Sequence, residues 1–153
     1  MHQGLRKAGD TLMSSQPEKR VKNNIKTPNT VKIDVLKTID YKYNKVRDID
    51  ITIQQPEFTS VCPMTGLPDF GCIIIRYIPN NKIVELKSLK FYMLQYRNVG
   101  IFYEHVVNNI LNDLVEVLNP EWMEVAGNFT ARGGITTKVA VEYNGGNGNT
   151  LAI

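Results

Sequence analysis

The chain's 153 residues give room for one domain with a sizeable core and too little for two. With 42% hydrophobic and 22% charged residues it has the composition of an ordinary globular protein, and no apolar run reaches the roughly 20 residues a membrane span needs. Its net charge of +3 is uneven: residues 1–50 hold eleven Lys/Arg against six Asp/Glu, and residues 51–153 hold seven against nine, which argues against a broad nucleic-acid face on the folded part.

The start, Met1 to Asp10, lacks the apolar core of a signal peptide, so a cytoplasmic setting with no membrane partner is expected. Residues 1–30 mix Lys, Arg, Asn, Ser, Thr and Pro with few apolar positions and read as a disordered or loosely packed leader. One catalytic domain is expected over 31–143, followed by a flexible Gly/Asn-rich tail over 144–153.

Alternation of Val46, Ile49, Ile51 and Ile53 predicts a first strand. Breakers crowd the next stretch, Pro56 to Pro68, and the loop expected there, from Thr59 to Phe70, carries Cys62 and Asp69. A second strand is expected from Cys72 to Ile78, with Cys72 in the core, and it closes at Pro79-Asn80-Asn81. Residues 86–97 predict a helix, and 103–118 a second one, with Val106, Val107, Ile110, Leu111, Leu114 and Leu118 on one stripe up to Pro120. Two more strands fit Trp122–Thr130 and Ile135–Tyr143, joined at Arg132-Gly133-Gly134. The order strand-strand-helix-helix-strand-strand predicts an α+β domain, an antiparallel sheet with its helices on one face. No GxGxxG follows a strand, so a nicotinamide cofactor would bind without a Rossmann turn.

Four clusters hold groups able to do chemistry. Cys62, flanked by Val61 and Pro63, reads either as a thiolate nucleophile or as an inert loop cysteine, with Asp69 as a candidate proton donor. Glu85, at a helix start, is followed by Lys87 and Lys90 on one face; the set reads as a phosphate grip or as a capped helix with solvated lysines. Glu104 follows Tyr103 in the second helix's first turn, where a carboxylate can accept a guanine-like N–H edge or simply start the helix. Arg132-Gly133-Gly134 is a tight turn with one cation. Cys62 and Cys72 lack zinc-site spacing, and the histidines are only His2 and His105, so no metal is expected.

Taken together, Val61-Cys62-Pro-x-Thr-Gly-x-Pro-Asp69-Phe and Glu85-Leu-Lys-Ser-Leu-Lys-Phe-Tyr92 resemble the nucleophile loop and signature of the unimodular queuosine-pathway nitrile reductases, and Tyr96-Arg97-Asn98 and Phe102-Tyr103-Glu104 extend the match. The resemblance covers about residues 45–143. It implies a tunnelling fold, in which subunits form oligomeric β-barrels, usually a decamer of two pentamers with sites between subunits. It also implies NADPH-dependent reduction of 7-cyano-7-deazaguanine to the 7-aminomethyl base with two NADPH. In that scheme Cys62 forms a thioimide and Asp69 protonates the nitrogen. Val84, Glu85, Leu86, Tyr103 and Glu104 bind this small deazapurine; Leu86, Lys87, Lys90, Arg132 and Gly133 hold NADPH. Two positions depart from the family pattern: Tyr103 where many members have His, and Leu86 where Ser is commoner. The competing readings are an amidine-forming enzyme of the archaeosine type, a zinc cyclohydrolase of the same fold, and a non-catalytic purine- or RNA-binding module that uses the leader. The reductase reading needs no direct nucleic-acid contact.

Overall fold

The computed structural model describes residues 24–146; most of the basic leader, including His2, and the end of the tail lie outside the described residues. The described residues form six strands and two α-helices: β1 Thr38–Asp40, β2 Ile51–Val61, β3 Pro68–Ile78, β4 Lys82–Val84, α1 Leu86–Leu94, α2 Tyr103–Leu118, β5 Trp122–Arg132 and β6 Ile135–Asn144. The four long strands form one antiparallel sheet in the order β2-β3-β5-β6. The short β1 and β4 make a separate two-stranded ladder that the sequence did not predict.

Strict alternation on β3 buries Asp69, Gly71, Ile73, Ile75 and Tyr77 on one face. The helices cover that face. On α2 the whole predicted stripe is buried, from Val106 to Leu118, and each fully buried aliphatic side chain contributes about 1.5–3 kcal/mol. The helix ends at Asn119 in the left-handed region (φ 44°), just before Pro120. On α1 the Tyr92 hydroxyl donates to Asp113 of α2 (2.5 Å) and meets the Tyr96 hydroxyl (3.1 Å), which ties the two helical segments together. The α-helix stops at Leu94 and tightens into a 3₁₀ turn over Gln95–Asn98, so the predicted helix over 86–97 is shorter in its α-form.

Three expectations need correcting. The breaker-rich stretch from Pro56 to Pro68 is mostly strand, because β2 runs on to Val61 and β3 begins at Pro68. The register shifts between Gln55 and Phe58, so Pro56 falls in a bulge where no ladder N–H is required of it. Asp69 is therefore a strand residue whose direction is fixed by the pleat. Cys72 is not in the core: it lies half-buried on the sheet's other face, opposite Asn128.

Residues 24–30, read from sequence as leader, run beside the body, where Lys26 N donates to Asn98 O (2.7 Å) and Gly100 N donates to Lys26 O (2.9 Å). At the other end Asn144 still pairs with Trp122, and Gly145 N donates to Glu121 O (2.9 Å). None of the helices among the described residues is long and apolar enough to cross a membrane.

Candidate active site

Only the connection Cys62–Leu67 separates β2 from β3, and backbone bonds close it tightly. Cys62 N donates to Leu67 O (2.9 Å), and Gly66 N donates to Cys62 O (2.8 Å). Gly66 sits at φ 76°, which a side chain would strain. The turn holds Cys62 at 6% exposure and brings Thr65 back against it.

Burial alone pushes the Cys62 thiol up. The Thr65 hydroxyl, the Arg132 guanidinium and the backbone N–H groups of Thr65 and Met64 outweigh it and bring the thiol down to about 7. Near neutrality the thiolate, the nucleophilic form, is thus more accessible than for an ordinary thiol.

Asp69, 4% exposed, points from the second position of β3 toward the helices. Its Oδ1 accepts a hydrogen bond from the Tyr103 hydroxyl (2.9 Å) and is ion-paired with Arg132. Tyr103 opens α2, and its ring stacks on Phe129 with centroids 3.8 Å apart and planes 9° from parallel. Burial, then the bond to Asp69 and that carboxylate's charge, push the Tyr103 hydroxyl up to about 12, so it stays a donor. The Phe129 ring lies against Gly71 and Gly127. A Cβ at Gly71 would come within 2.8 Å of both the Asn128 carbonyl and Phe129, and one at Gly127 within 2.6 Å of Phe129. Two glycines thus give the ring its seat under Tyr103.

Arg132 ends β5 at a two-residue hairpin whose Gly133 and Gly134 both have positive φ (54° and 83°), the geometry of a type I′ turn. Contact with Cys62, helped by the charge of Asp69, holds its guanidinium firmly protonated. The guanidinium carbon also lies 5.8 Å from the Tyr103 ring centroid. One cation therefore serves the thiolate and the carboxylate together.

The structure brings together Cys62, Asp69, Tyr103 and Arg132, with Gly133 in the adjoining turn and exposed Glu104 next to Tyr103. Val84, Glu85, Leu86, Lys87 and Lys90 stand apart. Leu86 and Lys90 border a groove with Ile53, Gln55 and Ile75, and Gln55 lies six strand residues, roughly 20 Å, from Val61. Glu85 caps α1: its carboxylate accepts from Lys87 N (2.8 Å) and Ser88 N (2.7 Å), and these bonds hold it below the usual carboxylate range. Sequence reading missed Thr65 and Phe129. A hydroxyl three residues after the cysteine in a Gly-closed turn was a usable signal for Thr65; nothing local pointed to Phe129.

Arg132 was assigned to the cofactor from sequence, whereas here its guanidinium is committed to Asp69 and Cys62. Arg132→Met is expected to move the midpoint of Cys62 alkylation from about 7 to higher pH, because the thiolate loses a cation and a donor. Iodoacetamide labelling across pH, read at Cys62 by peptide mass mapping, checks this; an unmoved midpoint would leave Thr65 and the backbone as the whole cause.

The chain matches the family model for QueF-like protein over residues 68–147. It is 53% identical over 113 residues to the NADPH-dependent 7-cyano-7-deazaguanine reductase of Chlorobium chlorochromatii (strain CaD3), covering 74% of this chain and 97% of that one. The chain belongs to the QueF-like family. A match of that length in 153 residues necessarily includes the stretch from Cys62 to Glu104. Proteins of the same name are 54% identical in Thermoanaerobacter pseudethanolicus (110 residues; 72% of this chain, 82% of that one) and 56% identical in Caldicellulosiruptor bescii (110 residues; 72% and 83%). Among solved structures, the archaeosine synthase QueF-Like in the apo form superposes with a TM-score of 0.56 at 22% identity, covering 65% of this chain and 95% of that one. That likeness establishes a shared fold.

Proposed function

We propose that this chain is an NADPH-dependent 7-cyano-7-deazaguanine reductase of the queuosine pathway, acting through a covalent thioimide on Cys62. One observation carries the reading. A buried thiol lowered to about 7 sits in one cluster with a buried carboxyl, in a chain 53–56% identical to reductases of that name. A nitrile carbon needs a nucleophile at carbon and a proton at nitrogen, and Cys62 and Asp69 supply that pair.

The Cys62 sulfur bonds to the nitrile carbon as the Asp69 proton goes to the nitrogen. Tyr103 and Arg132 hold the carboxyl in place, and the burial of Cys62 and Asp69 limits water at the adduct. Glu104, one residue beyond Tyr103, accepts from the N–H edge of the base. NADPH supplies the reducing equivalents for both stages. The donor set fits its phosphates: Lys87 and Lys90 are exposed on α1, and Arg132 stands on a hairpin tip.

The separation of the Lys87 cluster from Cys62 supports sites assembled between subunits. A homo-oligomeric barrel fits the same facts, because β2 and β6 are long edges of an open sheet. Exposed Met64, Leu67, Phe70 and Ile135 around the loop and hairpin give such an interface apolar area. A decamer of two pentamers, a cytoplasmic setting and a single catalytic domain over 31–143 complete the reading.

Incubation with 7-cyano-7-deazaguanine is expected to consume two NADPH per base and yield the 7-aminomethyl product. Conversion of the nitrile without NADPH, to an amidine, would overturn the reductase reading.

A further inference from the structure

Ser60 is fully buried (0% exposed), and its Oγ is the single buried side-chain polar atom without a hydrogen-bond partner among the described residues. An orphaned buried hydroxyl is destabilising, and alanine or valine would fill a strand site without that penalty. Ser60 stands directly opposite Asp69 in the β2–β3 ladder. Paired residues leave the sheet on the same face with Cβ atoms about 4.5–5.5 Å apart, so rotation about the Ser60 Cα–Cβ bond carries its hydroxyl to the Asp69 carboxyl. The remaining charged or titratable groups around that carboxyl are Tyr103 from α2, Arg132 from the hairpin and Cys62 from the loop.

Oδ1 of Asp69 is held by the Tyr103 hydroxyl and the Arg132 guanidinium. We propose that Ser60 is a positioning residue for proton transfer by Asp69, its hydroxyl turning to donate to that carboxyl. The Cys62 thiol gives its proton to Asp69, and as the sulfur bonds to the nitrile carbon the C≡N π pair moves to nitrogen and takes that proton, returning Asp69 to carboxylate. The Ser60 hydroxyl, donating to the carboxyl, keeps its oxygen aimed for both transfers.

The inference rests on the reductase reading, and one experiment separates them. Adduct formation without NADPH is followed by intact mass for the full chain and for Ser60→Ala and Ser60→Thr, alongside base affinity and melting temperature. Ser60→Ala deletes an orphan atom, so it is expected to fold and melt at or above the parent temperature. Its adduct should form on the order of tenfold more slowly with unchanged base affinity, and Ser60→Thr should restore the rate. Parent-like adduct formation in Ser60→Ala would overturn the role of Ser60. Failure of the parent chain to form any adduct would overturn the reading beneath it.

Discussion

Replacing Cys62 with alanine is expected to abolish nitrile reduction, by about four orders of magnitude or more, while the folded chain still binds the base. The size follows from what is removed. Without the sulfur no thioimide exists, and the remaining groups, Asp69, Tyr103 and Arg132, offer acid and charge but no bond to the nitrile carbon. The fold should survive, because Cys62 sits in a connection closed by backbone bonds to Leu67 and Gly66 that alanine keeps. The cavity left is that of one sulfur atom, worth about 1 kcal/mol or less at the edge of the core. Intact mass after incubation with the nitrile provides the check: parent gains the mass of the base, Cys62→Ala gains nothing. A covalent gain in the variant would move the nucleophile elsewhere, and Cys72, half-buried on the opposite sheet face, would be the thiol to test.

Much of this architecture could be read from residues because its signals are local. The α2 stripe obeys helical periodicity, and Asn119-Pro120 ends it through backbone chemistry of two adjacent residues. Gly133-Gly134 announces a hairpin for the same reason. The β2 strand was harder to read: Pro56 argues locally against a strand, and only a bulge in the pairing with β3 makes it admissible. The β1–β4 ladder has three residues a side, too few for periodicity to register. Within the site, the legible part was the identity of the reactive groups, and the hidden part was their mutual arrangement. Asp69 became a buried inward residue because the strand starts at Pro68. Arg132, which its turn advertises as a solvent-facing cation, finds its partner across the sheet, 63 positions away. Tyr103 and Phe129 stack only because Gly71 and Gly127 leave the ring a seat, a relation no window of sequence contains. Tyr103 donates to Asp69 and keeps its proton, so the position serves here as an orienting donor.

Asp69→Asn separates the acid from everything else that the cluster does, and turnover is expected to fall about 10²- to 10⁴-fold. Asparagine keeps the size of the side chain, and its carbonyl oxygen can still accept from Tyr103. The lost ion pair costs little stability, within about 1 kcal/mol, because Arg132 is 44% exposed and water can solvate it once Asp69 is neutral. The sign at Cys62 is the discriminating feature. With the carboxylate gone, the guanidinium's charge is no longer shared, so the thiolate is held at least as well and alkylation near pH 7 should be as fast as in the parent or faster. A merely misfolded variant would lose both activities together, whereas loss of the acid alone leaves a reactive thiolate that cannot complete addition to the nitrile. Steady-state turnover, Cys62 alkylation rate and melting temperature measured on one preparation decide it. Turnover within a few-fold of the parent would remove Asp69 from the chemistry and leave it as the anchor for Arg132.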